Sequence, residues 1–342
     1  MRIEIEILTN NLVEPFQNLN LNFISLNKLF TTQSLAEHGL GYLICVYEEN
    51  EQEKRNSNTF FSNSLKKKII FDTGSTNKTF IHNSNIRGYS LYDVDIIALS
   101  HWHYDHTGAL YDILAEIDQK IPVILHDYAK FERFFRRSPD VKDSDLKGKK
   151  REEIVQLINE MKLVNQPPIN EKKIEELNGE LILTKDPYTL FDSNNLKIIL
   201  SGEIQRSHPE EKFHNFFALQ GDYLEEDKIL DDKCVILESK NNAIILNGCC
   251  HSGLMNTIDY ARSITSKPIT HIIGGFHMAS ASAERIEKTI DYIKDNCNND
   301  DIIYLFPVHC TGPQFIKKVE KRDDPKIKAF NISVGTKFIF KY

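Results

Sequence analysis

Short apolar runs and helix-spaced apolar positions alternate along most of this chain. Runs at residues 2–8, 41–47, 68–71, 94–99 and 122–125 predict strands, as do later runs at 197–200, 234–238, 243–246, 269–273, 302–306 and 337–340. Apolar residues recur at helical spacing over 76–82, 108–118, 127–137, 151–163, 253–265, 282–296 and 312–321. Alternation of this kind predicts an α/β fold with sheets covered by helices. Two stretches break the rhythm. Residues 48–67 are polar and rich in Asn, Lys and Ser, and are expected to form a long exposed hairpin loop. Residues 138–170 are charged, carry Pro139, Pro167 and Pro168, and read as an insertion or lid. The wider segment 126–230 departs most from the alternation. It is expected to cap a site within one domain spanning 1–342. The charged run at 143–153 is expected to be a solvated helix face.

Composition narrows the class without naming a chemistry. The 342 residues, 41% hydrophobic and 27% charged, suffice for a large core. A formal net charge of -7 argues against nucleic acid as the partner, because such proteins show a basic face. No apolar run approaches the ~18 residues needed to span a membrane. The opening Met1-Arg2-Ile3-Glu4-Ile5-Glu6-Ile7 alternates like a half-buried strand and does not read as a signal peptide. Six cysteines without the spacing of a disulfide framework suit a reduced, cytoplasmic setting. Homo-oligomerisation stays open.

The candidate chemistry lies at strand ends. Ser100-His101-Trp102-His103-Tyr104-Asp105-His106-Thr107-Gly108 places three histidines and an aspartate directly after the apolar run 94–99. The carboxyl ends of strands are where α/β folds place ligands, and imidazole and carboxylate are ligands for zinc and similar ions. In a tight loop His101 and His103 can point one way while Asp105 and His106 turn toward a second point. Such an arrangement serves two metal ions about 3.5–4 Å apart. Three later strands also end in glycine and histidine: Gly248-Cys249-Cys250-His251-Ser252-Gly253, Gly274-Gly275-Phe276-His277 and Pro307-Val308-His309-Cys310-Thr311-Gly312. A lone histidine at a strand end is usually a core residue; three beside the first cluster point to a shared site.

With these motifs the chain resembles the metallo-β-lactamase superfamily. Ser100–Gly108 matches its His-x-His-x-Asp-His signature, and Phe71-Asp72-Thr73-Gly74 matches the Asp-Thr-Gly strand end before it. More narrowly it is similar to the branch that includes the 7,8-dihydropterin-6-methyl-4-(β-D-ribofuranosyl)aminobenzene-5'-phosphate synthase. The shared features are Ala36-Glu37-His38-Gly39, Ser201-Gly202-Glu203-Ile204-Gln205-Arg206, and the three later strand ends. The resemblance implies a four-layer αββα sandwich with an inserted cap. It implies that His101 and His103 serve one metal, Asp105 and His106 the other, and His309 as the last histidine ligand. The superfamily usually carries a bridging Asp after the glycine matching Gly248. Here Cys249 stands there, so His251 is expected to take over as ligand, with the Cys249 thiolate as the alternative. Cys249 and Cys250 otherwise read as small buried apolar residues. His277 is either a ligand or a substrate-facing residue. His208 and His214 lie in the interval of a further superfamily histidine, though both also read as ordinary loop residues. Asp72 is expected to orient the metal loop through hydrogen bonds. His38 lines the cleft or steadies a loop.

The resemblance implies two divalent ions, zinc first, with iron or manganese as alternatives. The substrate is expected to be a small molecule carrying phosphate or diphosphate, either hydrolysed or used by a pterin-type synthase that displaces diphosphate. Asp105 would accept a proton. Arg206, Glu203, His38 and Arg133 are the candidate substrate contacts, with Arg136 and Arg137 as further candidate phosphate binders. A nuclease or phosphodiesterase, or a lactonase or β-lactamase-like hydrolase of the same fold, is the alternative. A non-enzymatic protein using metal only structurally would be expected to have lost ligands.

Overall fold

The computed structural model describes residues 1–26, 34–48, 64–297 and 301–342. Two sheets stack face to face. The first has eight strands in the order Ile24–Ser25, Lys337–Lys341, Arg2–Thr9, Gly41–Glu48, Ser64–Thr73, Ile96–Ala98, Ile121–Leu125 and Gly179–Leu183. The second has seven: Tyr188–Asp192, Leu196–Leu200, Cys234–Ser239, Ala243–Asn247, Ile269–Gly275, Ile303–Val308 and Ile327–Ala329. Strand alternation sorts the side chains between layers. Tyr42, Ile44 and Val46 face the second sheet, with Ile198, Leu200, Leu237, Leu246 and Phe306 opposite. Their neighbours Leu43 and Cys45 face outward, where Phe80, Leu110, Ile113 and Leu114 cover them. On the far side Ile245, Ile272 and Leu305 are covered by Ile258, Ile286, Ile290, Ile293 and Phe315 from three helices. The result is the expected αββα sandwich.

In each sheet the strands nearest the site run parallel: Ser64–Thr73 with Ile96–Ala98 and Ile121–Leu125, and Ala243–Asn247 with Ile269–Gly275 and Ile303–Val308. Their carboxyl ends supply the motif loops. Among the described residues no helix is long and apolar enough to cross a membrane.

Residues 49–63 of the expected hairpin loop lie outside the described residues. Its flanks are strand, with Ser64 paired to Glu48. The helix expected over 127–137 is instead a short 3-10 turn, Asp127–Lys130, followed by the strand Arg133–Arg136. That strand joins Leu163–Gln166, Phe216–Gln220 and Tyr223–Glu226 in a third sheet with a small core of its own, around Phe134, Leu146, Ile154, Phe217 and Leu224. The segment 126–230 is therefore not one continuous insertion: Gly179–Leu183 returns to the first sheet, and Tyr188–Asp192 and Leu196–Leu200 to the second.

Candidate metal centre

Asp72 and Ser100, at two neighbouring strand ends of the first sheet, are joined beneath the site. The Asp72 carboxylate accepts hydrogen bonds from the Ser100 amide and the Ser100 hydroxyl, each at 2.7 Å, and lies 2.7 Å from His106 Nδ1. Gly248, from the opposite sheet, packs onto this pair. A Cβ there would lie 2.2 Å from Ser100 Oγ and 2.7 Å from Asp72 Oδ2, so only glycine lets the strand end approach so closely. Gly108 is equally constrained, because a Cβ there would sit 1.9 Å from the Ser75 carbonyl oxygen. Asp72, Cys250, His277 and His309 all adopt positive φ, at 58°, 60°, 47° and 54°. Strained backbone of this kind clusters where a site dictates the geometry.

The ring nitrogens away from the centre are occupied in three histidines. His101 Nδ1 lies 2.8 Å from Ser100 Oγ, whose proton goes to Asp72, so the imidazole N–H donates to Ser100 and Nε2 keeps its lone pair. His106 Nδ1 donates to Asp72, and His309 Nδ1 lies 3.2 Å from Asn11 Oδ1. Asn11 also donates to the His309 carbonyl at 3.1 Å, and Asn10 accepts from the His309 amide at 3.2 Å. This is the arrangement that orients metal-binding imidazoles. Inward, His101 Nε2 lies 3.0 Å from His103 Nδ1, and His106 Nε2 lies 3.3 Å from His309 Nε2. His309 Nε2 and His38 Nε2 each lie 3.2 Å from Asp105 Oδ2. His251 is buried with neither ring nitrogen partnered among the described residues, and its ring lies 4.8 Å from His101 and 4.9 Å from His103.

Among the described residues the candidate ligand atoms form four close groups, each within 4.8 Å: His101, Cys249 and His251; His106, Cys249 and His309; His38, Asp105 and His309; and Cys249, His277 and Cys310. His251 therefore belongs to the His101–His103 half. Cys249, in the place of the usual bridging carboxylate, is the residue whose sulfur reaches both halves. Its Sγ lies 3.1 Å from Cys310 Sγ and 3.7 Å from His277 Nδ1. Cys250 points away into the helix-covered core and contacts Thr257 Oγ1.

These residues fit a metal ion on electrostatic grounds as well. Burial holds His101, His103 and His251 well below the usual imidazole range, His103 at about 3, so they stay neutral with lone pairs available. Burial also opposes charge on His106 and Asp105, but their partners outweigh it. Asp72 and Asp105 raise His106 to about 9, while His106, His309 and His38 hold the Asp105 carboxyl well below the usual carboxylate range. The negative field that favours a proton on His106 favours a metal cation equally.

The remaining candidates have other places. Arg133 is turned inward: it donates to Asp231 Oδ2 at 2.7 Å and lies 3.8 Å from Asp227, instead of facing a phosphate. Asp231 also accepts from the Trp102 amide at 2.7 Å, so this buried pair ties the third sheet to the motif loop. Glu203 Oε2 lies 3.2 Å from His126 Nε2, and Arg206 donates to the Ile229 carbonyl at 2.8 Å. Arg136 pairs with Asp143 and Asn215. His208 pairs with Asp259 at 2.9 Å, and His214 is exposed. Sequence reasoning missed Asn10, Asn11, Cys310 and the cap residues Phe213 and Phe216. Phe216 stacks on His103 at 5.1 Å, and Phe213 meets His277 edge-on at 4.6 Å. The pair Asn10-Asn11 after the first strand was the available signal, though turns commonly carry the same residues.

Comparison with known proteins agrees with the geometry. Residues 54–191 match the family model of the metallo-beta-lactamase superfamily. The chain is 27% identical to the 7,8-dihydropterin-6-methyl-4-(beta-D-ribofuranosyl)-aminobenzene-5'-phosphate synthase of Methanocaldococcus jannaschii, over 81% of this chain and 82% of that protein. It is 26% identical to the uncharacterized protein MJ0448 of the same organism, over 75% of this chain and 83% of the other. A solved structure, Tm1679, a metal-dependent hydrolase of the beta-lactamase superfamily, superposes with a TM-score of 0.64 at 17% identity, covering 98% of each chain. The superposition on Tm1679 shows that the chain has a metallo-β-lactamase fold, and the match over residues 54–191 and the strand-end motifs are similar to those of that superfamily.

Proposed function

We propose that this protein is a metal-dependent enzyme that acts on a phosphate- or diphosphate-bearing small molecule through a two-metal centre. The observation that carries the reading is the pair of ligand groups sharing Cys249. His101, His103 and His251 would hold one ion; Asp105, His106 and His309 would hold the other, with the Cys249 thiolate between them. Imidazole and thiolate donors favour zinc. When bound, such ions supply Lewis acidity and a clamp for phosphate oxygens. Likeness to the synthase favours displacement of diphosphate from a pterin methyl carbon over simple hydrolysis.

The chain's own groups have definite parts in this reading. Asp72, Ser100 and Asn11 hold imidazole tautomers so that lone pairs face the centre. The His38 ring lies tilted against His309 at 4.8 Å and contacts Asp105, and its side chain is 57% exposed. It is placed to pass a proton between the Asp105 carboxylate and water. Phe213 and Phe216 wall the centre on the cap side and exclude water from it. The substrate is taken to be a small molecule and no nucleic acid, in keeping with the net charge of -7.

Zinc-loaded protein should be given a dihydropterin with a diphosphate on its 6-methyl group, with and without the ribofuranosylaminobenzene phosphate acceptor. Diphosphate release that depends on the acceptor, with the joined product seen by mass spectrometry, supports the synthase reading. Release without acceptor supports the hydrolase reading. Turnover confined to lactones or RNA would overturn both.

A further inference from the structure

A cavity of about 300 Å³ lies beside the centre, lined by Glu210 and Lys212 from the cap and by Ser280, Ser282, Arg285 and Lys288 at the start of the helix Ala283–Asn296. Arg285 is its unusual member. Its Nε and Nη2 are buried and have no hydrogen-bond partner among the described residues. Arg285 is half-buried, and guanidinium N–H groups left unpaired away from water are costly unless something completes them. Arg285 also sits in the first turn of a 14-residue helix, where the macrodipole disfavours a cation and favours an anion. Two carboxylates line the cavity, but Glu284 pairs with Lys288 at 3.3 Å, and neither Glu210 nor Glu284 bonds the two free nitrogens. Lys212 adds a second positive charge.

The position relative to the centre gives this cavity meaning. The Arg285 guanidinium lies 4.8 Å from the centroid of the Phe213 ring, and that ring lies 4.6 Å from His277 and 5.6 Å from His251. One aromatic ring therefore separates the cation from the metal-site histidines. An anion here would be too far away to be the group held on the metals, yet close enough to belong to the same small molecule.

We propose that Arg285 and Lys212 bind the phosphate of a phosphomonoester, as a recognition subsite separate from the metal centre. Arg285 offers its two free N–H groups to two phosphate oxygens in the forked geometry that guanidinium provides. Phe213, under the guanidinium, gives the organic part of the ligand an apolar wall toward the metals. The proposal rests on the reading of the centre above only for the statement that the phosphate belongs to a substrate. Binding at the subsite itself needs no metal.

The test is calorimetric binding of ribose 5-phosphate, with ribose and inorganic phosphate as comparisons, to the full metal-loaded protein. Ribose 5-phosphate is expected to bind more tightly than inorganic phosphate, and ribose not at all. Arg285→Gln should weaken binding about tenfold or more, the loss of one charged hydrogen-bonding group. Lys212→Gln should weaken it less, and Arg285→Lys should recover part of the loss. Metal content should be unchanged in all three. Binding should persist in His103→Ala, which damages the centre and leaves the cavity intact. Loss of binding in His103→Ala would place the phosphate on the metals and overturn the subsite. Unchanged affinity in both Arg285→Gln and Lys212→Gln, or equal affinity for inorganic phosphate, would overturn it too. Because the readout is binding and not turnover, a failure here stays distinct from a failure of the proposed reaction.

Discussion

Two regions of this protein each bury a histidine with an unpartnered ring nitrogen, and they are built for different ends. At the centre, His251 has three imidazoles within 4.9 Å, from His101, His103 and His277, and two aromatic rings of the cap beyond them. Deep in the second sheet, His271 is walled by Phe23 at 4.7 Å, Phe340 at 5.1 Å and Tyr304 stacked at 5.2 Å. Its Nδ1 finds Thr270 Oγ1 at 2.8 Å, and its Nε2 has no hydrogen-bond partner among the described residues. Burial alone thus does not mark a ligand. What separates the two is convergence: lone pairs from several strand ends meet at His251, and none meet at His271.

The largest effect should come from the convergent region. Asp105→Ala should reduce turnover of the true substrate by more than about 100-fold, beyond what losing an outer partner of a ligand costs. The circular dichroism spectrum should stay that of the wild type, because the loop lies at the sheet edge. Near wild-type turnover would remove Asp105 from the centre. A smaller effect should follow from loosening an imidazole without removing it. Asp72→Asn leaves the shape but weakens the hydrogen bond that fixes His106, and metal affinity measured by chelator competition should fall about 10–100-fold. No change would mean that Asp72 only caps its strand.

The smallest effect should come from His271, and it should appear in stability and not in metal content. Burial lowers its pKa to about 4 from the ordinary 6.5. The unfolded chain takes up a proton as the pH falls through 6.5, and the folded chain does not until about 4. Falling pH therefore destabilises the fold across that window, by at most about 3 kcal/mol from this residue, and leaves it unaffected above. His271→Phe should flatten that part of the urea-unfolding profile. A profile identical to wild type would show that His271 is not buried neutral.

The same contrast explains what the sequence could and could not tell. The candidate ligands were easy to single out because they sit in short motifs directly after apolar runs, where chain order already brings His101, His103, Asp105 and His106 together. The sandwich was legible because the central strands, such as Ala243–Asn247 and Ile96–Ala98, are apolar on both faces. The strand Arg133–Arg136 was not, because Phe131, Phe134 and Phe135 also fit helical spacing, and pairing with Phe216 and Phe217 decides the matter only in three dimensions. Arg133 read as a phosphate binder for the same reason: its partners Asp227 and Asp231 lie nearly a hundred residues along the chain, and spacing cannot show them. The sharing of Cys249 by both halves depends on how far one strand end reaches across to the other sheet, which Gly248 permits by its contact with Ser100 and Asp72.

The most direct test of the two-metal reading is elemental analysis of gently purified protein beside two variants. Wild type should hold close to two metal ions per chain, chiefly zinc. His251→Ala should retain about one, because only the His101–His103 half loses a ligand. Cys249→Ser should lose from both halves, because its sulfur is within reach of each. Wild-type protein without any transition metal, or a Cys249→Ser variant as fully loaded as wild type, would contradict the account.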